Sequence, residues 1–280
     1  MNNIVPLSVE NMNLADAMGF SPSAGSSGTS VDLYRISTGV IQEVVDGKVA
    51  NSPVFKIKKG DDEFLSRGMT VRFFVERQRW QKWDSVNNAF HRTVMSTNLN
   101  ADLKDTLGTF NLGRPSGYIK DFNALPKDKQ DYIRSVSRVK VLMGLATFVD
   151  PFVEGGEPVV EHNGEVPIVL DVKNRESLKS IDATIGKLMS KRVSPVENLI
   201  TLTPESRSMP NGNKFAVISA ALGDTVGFSD GDNEVLGNFI DYVERSNEYV
   251  LNKWEEQNVE RVSDEDAEIV ANIVDVQDFE

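Results

Sequence analysis

The sequence contains no cysteine, which excludes disulfides, thiolate zinc sites and thiol nucleophiles together. Its only histidines are His91 and His162, too few for a histidine-built metal centre. The first cation is Arg35, so the basic start of a secretory signal is missing and export by that route is not expected. Long hydrophobic runs are also missing. The longest, VLMGLATFV at 141–149, is about half of what a bilayer crossing needs and ends at Asp150, so it reads as a buried strand. No GxSxG, HExxH or GxxxxGK[ST] pattern occurs. The acidic stretch SDGDNE lacks the full calcium-loop spacing and, like GDD at 60–62, reads as a surface turn. These absences argue against an enzyme and against a metal or organic cofactor.

Positive charge is scarce overall, with a net of −12, but it is not evenly spread. Residues 54–145 carry seventeen cations and ten acids, whereas 255–280 carry one cation and ten acids. A basic middle and an acidic end are expected of a nucleic-acid binder with a separate acidic tail. A charge run is more often just a solvated face, so the deciding question is what accompanies the cations.

Along the chain, residues 1–30 end in FSPSAGSSGTS, a low-complexity stretch that reads as a flexible arm. From Val31 to about 97, short strands alternate with turns: DLYRIS, GVIQEVV, VFKIKK, TVRFFVERQRW and AFHRTVMS, with VNN as a hairpin turn. LNADLKD is read as a short helix, LGTFNLGRPSGYIKDF as a glycine-rich loop, and LPKDKQDYIRSV as a helix with proline at its first position. VKVLMGLATFV pairs with VPIVLDV, and NLITLT with KFAVISAAL. Helical stripes follow at Leu178, Ile181, Ile185 and Leu188, and at Leu236, Phe239, Ile240, Val243, Val250 and Trp254. Trp254 reads as a core anchor. Beyond it, 255–280 is too acidic to form a core and is expected to be a mobile tail, with a short helix opening at Ser263.

Strands, a helix, then strands describe a mainly β (α+β) domain over 31–254, ordered like an OB-like Greek-key barrel with inserted helices and a hairpin. Periodicity alone does not select that barrel over another small one.

What accompanies the cations is aromatic. The segment RFFVERQRWQKW at 72–83 holds four cations and four large rings. Strict alternation puts Val71, Phe73, Val75, Arg77 and Arg79 on one face and Arg72, Phe74, Glu76, Gln78 and Trp80 on the other. Past Val75 the strand is expected to project, exposing Arg77, Arg79, Trp80, Lys82 and Trp83 at a hairpin tip. The return strand adds Phe90, His91 and Arg92, KIKK adds Lys56, Lys58 and Lys59, and the glycine-rich loop adds Arg114, Tyr118 and Lys120. Rings and cations together suit single-stranded nucleic acid, because every base offers a π-face and every phosphate needs countercharge. The plainer alternative is a hairpin whose tryptophans pack inward under snorkelling arginines.

The chain ends in IVDVQDFE. A barrel with basic, aromatic strands, an acidic tail and a near-terminal Phe resembles the single-stranded DNA-binding proteins of bacteria and tailed bacteriophages. LKDTLGTFNLGRPSGYIKDFNALP and SRVKVLMGLATF are similar to segments of phage proteins of this kind. The resemblance covers about 54–150 and the tail. It implies a non-enzymatic coat on single-stranded DNA during replication, recombination and repair, in the cytoplasm (a host cell's if viral), without membrane contact. It implies that Asp275, Asp278 and Phe279, with Glu280 behind them, recruit replication or recombination proteins. Glu280 departs from the family pattern, in which the ring is usually last. A zinc-binding member is excluded as a model by the missing cysteines. A homo-oligomer or cooperative filament stays open, as do two other readings: a virion or assembly protein with a protein-binding barrel, and a DNA-binding transcription co-activator.

Overall fold

The computed structural model describes residues 33–45, 48–159 and 164–274, the side chains of Val45 and 260–274 excepted. The expected arm at 1–30 and the tail residues Asp275, Asp278, Phe279 and Glu280 lie outside these residues, as does His162. The elements are β1 (Tyr34–Val45), β2 (Lys48–Lys59), β3 (Asp62–Ser66), β4 (Gly68–Asp84), β5 (Ala89–Arg92), α1 (Lys127–Ser135), β6 (Val136–Val149), β7 (Val166–Val172), α2 (Arg175–Ser190), β8 (Asn198–Ser208), β9 (Lys214–Thr225) and α3 (Asp230–Val274). No helix among the described residues is long and apolar enough to cross a membrane.

The fold is mainly β, one strongly curled half-barrel sheet in the order β3-β2-β1-β7-β6-β4-β8-β9, with β5 also on β4. Every ladder is antiparallel except β1 with β7, which pair only over Tyr34–Ile36 and Ile168–Leu170. The curl brings β9 against β1 and β8 against β2. The inner face is thereby sealed around Phe55, Ile57, Met69, Val71, Leu142, Ile168, Leu170, Ile200 and Leu202, with Ile181 and Leu188 of α2 closing it. The outer face of β4, β6 and β7 buries Val75, Val139, Val141, Met143 and Val169 against Phe239, Tyr242 and Val243 of α3. The two faces thus carry separate cores, which is why β6 reads as a continuous apolar run.

The sheet's free edge at β9 is covered chemically. Ser177 and Ser180 of α2 accept from the backbone N–H groups of Ile218 and Ala220 at 2.9 Å each, and the Thr184 hydroxyl donates to the Ala220 carbonyl at 3.0 Å. Hydroxyls spaced 177, 180 and 184 lie along one helical stripe, so α2 takes the place of a tenth strand and blunts an edge that would template pairing. On the other face, Asn247 of α3 does the same for Met95, accepting from its N–H at 2.6 Å and donating to its carbonyl at 3.0 Å. Trp254, expected as a core anchor, is half-buried and lies outside the apolar cores; it ties the helix to the 104–110 loop, its Nε1 donating to the Thr109 carbonyl at 3.1 Å.

Three expectations need correction. LNADLKD forms no helix; its backbone instead makes bridges at Lys104 and Asp105. The helix expected to stop near Trp254 runs on to Val274, because nothing from Asn238 onward is glycine or proline to break it. Ile240, placed on the buried stripe, is exposed, and Tyr242 is buried in its stead.

The facing along β4 also departs from strict alternation. The register on β6 shifts between Phe73 and Val75, a bulge at Phe74. Phe73 belongs to the inner core and Val75 to the outer one, so the strand reverses the facing of every later side chain. Gly144 sits opposite Phe73, and a Cβ there would collide with the Arg72 carbonyl. Replacing Gly144 with Ala is expected to cost roughly 1–3 kcal/mol, the usual penalty of overpacking. Urea denaturation checks this, and an unchanged midpoint would contradict the close approach.

Candidate nucleic-acid interface

Beyond the bulge, alternation sends Arg79, Gln81 and Trp83 to the outer face and Glu76, Gln78, Trp80 and Lys82 to the inner side. β5 pairs Arg92 with Gln81 and Phe90 with Trp83, adding its own side chains to the outer set. On the other flank, β1 leaves β7 after Ile36, and the parting opens a cleft of about 590 Å³. The cleft is walled by Arg79, Phe90 and Arg92 from β4 and β5, Arg35 and Lys58 from β1 and β2, and Asp171 and Lys173 at the end of β7. Five cations therefore face one carboxylate.

At its lip Trp83 and Phe90 stand 4.6 Å apart, tilted by 59°, and remain 45% and 50% exposed. The Lys173 ammonium lies 4.5 Å over the Phe90 ring. Deeper in, Arg79 is only 5% exposed and donates to one oxygen of Asp171 at 2.6 Å. Burial pushes the Arg92 guanidinium below its ordinary range, and repulsion from Arg79 adds to this. Burial lowers Lys173 as well, partly offset by Asp171 and again opposed by Arg79. Like charges held together and partly dehydrated are a site prepared for an anion.

The structure brings together Lys58, Arg79, Trp83, Phe90 and Arg92 of the expected residues, and adds Arg35 and Lys173, which sequence reasoning missed. Arg35 was legible in principle, since its two inward-facing neighbours Tyr34 and Ile36 leave it on the outer face. Lys173 carries no local signal beyond following a strand.

The remaining expected residues lie elsewhere. Trp80 is on the opposite side of the hairpin from Trp83, since three residues of separation in a strand reverse facing. Arg114 stacks 4.4 Å over its ring, beside a smaller cleft of about 340 Å³ that includes Arg138. Lys82 sits 3.9 Å over Tyr132, and His91 lies between Asp84 and Thr106 at 3.2 and 3.3 Å. Asp84 is held down to about 2 by hydrogen bonds from Asn87, the Val86 N–H and His91. Tyr118 is 93% exposed and Lys120 is exposed, both on the glycine-rich loop. Lys56 lies across Gly39, and the Lys59 ammonium is 4.8 Å over Tyr34. Arg77 donates to the Glu76 carbonyl at 2.8 Å.

The exposed tip expected for Arg77, Arg79, Trp80, Lys82 and Trp83 is not present as such. β4 does not project past the sheet but stays paired with β6 as far as Lys82 and Val136, leaving Trp83 as its exposed ring. Phe74 packs against Phe239, 5.8 Å away, so it is a core residue. Arg72 is likewise withdrawn from the candidate surface. Its guanidinium is clamped on two edges, by Glu165 at 2.7 and 2.8 Å and by Asp232 at 3.0 and 3.2 Å.

Among the described residues no group of acidic or histidine side chains is placed to hold a metal ion. No family model, curated protein or solved structure matches the chain.

The clamp has a measurable consequence. Hydrogen bonds from Arg72 hold the Asp232 carboxyl below its usual range, and Glu165 in turn raises Arg72. A depressed carboxylate stabilises the fold above the ordinary carboxylate range, and that stability is lost as pH falls through the lowered value. Arg72→Ala leaves Asp232 buried without its partner and is expected to cost roughly 3–5 kcal/mol. Chemical denaturation at neutral pH and at pH 3 checks both statements. A variant of unchanged stability that loses nucleic-acid affinity would return Arg72 to the binding surface.

Proposed function

We propose that the protein binds single-stranded DNA without strong sequence preference, through the cleft between β1, β7 and the β4–β5 hairpin. The observation that carries this reading is the convergence of Arg35, Lys58, Arg79, Arg92 and Lys173 beside the exposed Trp83–Phe90 pair. Cations track the phosphates while the ring pair accepts any base, because stacking does not depend on base identity. Among the described lining residues Asp171 is the sole acid, which leaves a cationic surplus to steer a polyanion in, despite the negative total charge. The OB-type reading of the half-barrel belongs to the same proposal. Its supports are the curl, the filled interior and the single parallel pair among antiparallel ladders. A role in replication and recombination, with Asp275, Asp278 and Phe279 recruiting partner proteins, rests on the family resemblance of the tail.

Oligo-dT at low salt is expected to quench tryptophan fluorescence. Trp83→Ala should remove most of the quench and cost about 1–3 kcal/mol of affinity, while Trp80→Phe leaves affinity nearly unchanged. With four to five phosphates neutralised, log K should fall against log salt with a slope of roughly −3. No quench together with no retention on single-stranded DNA cellulose at low salt would refute the reading.

A further inference from the structure

The one carboxylate in the cleft is bonded in an unusual manner. Asp171 meets Arg79 through a single contact, Oδ2 to Nη2 at 2.6 Å, although the two groups have the shapes for a bidentate pair. Both Arg79 Nε and Asp171 Oδ1 are buried with no hydrogen-bond partner among the described residues. Each such orphan carries a cost that a fixed structural pair would relieve. The contrast lies on the same strand: Arg72 has both edges of its guanidinium occupied.

Three further features surround the orphaned Nε. Arg79 lines the cleft together with Arg35, Arg92 and Lys173, so the local charge is well in excess of what Asp171 neutralises. The first turn of α2 reaches the cleft through Asn174 and Ser177, bringing the positive end of the helix to the same place. Apolar side chains from Ile36, Leu170 and Val172 form part of the lining, which limits water as a substitute partner.

We infer that Asp171 is a built-in competitor for phosphate: it occupies one arm of Arg79 in the free protein and is displaced when a phosphate group engages Arg79 and Arg92. The ligand's identity as DNA rests on the proposed function, whereas the phosphate slot rests on the geometry alone. Phosphate fits the slot because a tetrahedral oxyanion accepts from several guanidinium edges at once, which a single carboxylate at the wall does not. Asp171 therefore lowers affinity while keeping Arg79 from standing uncompensated when the cleft is empty.

The probes are unphosphorylated dT10, which offers only diester phosphates, and dTMP, which offers a monoester. Asp171→Asn keeps an oxygen for Arg79 and removes the charge; Asp171→Ser is a second variant should the first fold poorly. The unliganded variant is expected to melt below wild type, to gain more in melting temperature on adding ligand, and to bind on the order of three- to ten-fold more tightly. A gain confined to dT10 assigns the slot to the internal backbone of a strand, and an equal gain with dTMP assigns it to a free or terminal phosphate. Wild type binding dT10 while the variants bind it equally or more weakly overturns the inference and spares the proposed function. Tighter dTMP binding by the variants with no dT10 binding by any form keeps the slot and overturns the DNA reading. No response to either probe overturns both.

Discussion

One inserted residue governs the layout of this protein. The bulge at Phe74, admitted by Gly144 on the neighbouring strand, lets β4 serve two cores on opposite faces of one sheet. Before it, Met69, Val71 and Phe73 fill the half-barrel; after it, Val75 packs under α3. The same reversal carries Arg79, Gln81 and Trp83 outward to the cleft and turns Trp80 the other way. Without it, a regular strand would bring Trp80 to the outer side and bury Arg79 toward the inner core, where no carboxylate of β7 faces.

Two arginines of β4 differ in how their buried charge is compensated. Arg72 lies between two carboxylates, so its charge is compensated and its geometry fixed, joining β4 to the start of α3. Arg79 is equally buried but has one bond to one oxygen, in a neighbourhood where Arg92 and Lys173 add like charge. Burial of charge is costly in both cases. In the first it is offset internally; in the second the offset is incomplete, and in the proposed function an external anion completes it.

Much of the fold was legible because it follows local periods. The strands around 141–149 and 166–172, the β8–β9 hairpin and the stripe of α2 all obey spacing rules within a few residues. The bulge was not legible, since Phe73, Phe74 and Val75 are three apolar residues in a row and give no sign of where alternation slips. Nor was the cleft, because it forms where β1 parts from β7, strands more than a hundred residues apart in sequence. Arg35 and Lys173 are ordinary cations until that topology sets them beside Arg79. The acidic composition after Trp254 concealed the continuous helix to Val274, because charge and helix propensity are independent properties.

The proposed binding surface has two candidate locations: the Arg79 cleft with Trp83 and Phe90, and the opposite side with Trp80, Arg114 and Tyr118. Photo-crosslinking of an oligonucleotide carrying 5-iododeoxyuridine, followed by mass spectrometry of the peptides, distinguishes them directly. Crosslinks at Trp83 or Phe90 are predicted. Crosslinks confined to Trp80 and Tyr118, or none above the background of a protein that binds no nucleic acid, would contradict the account.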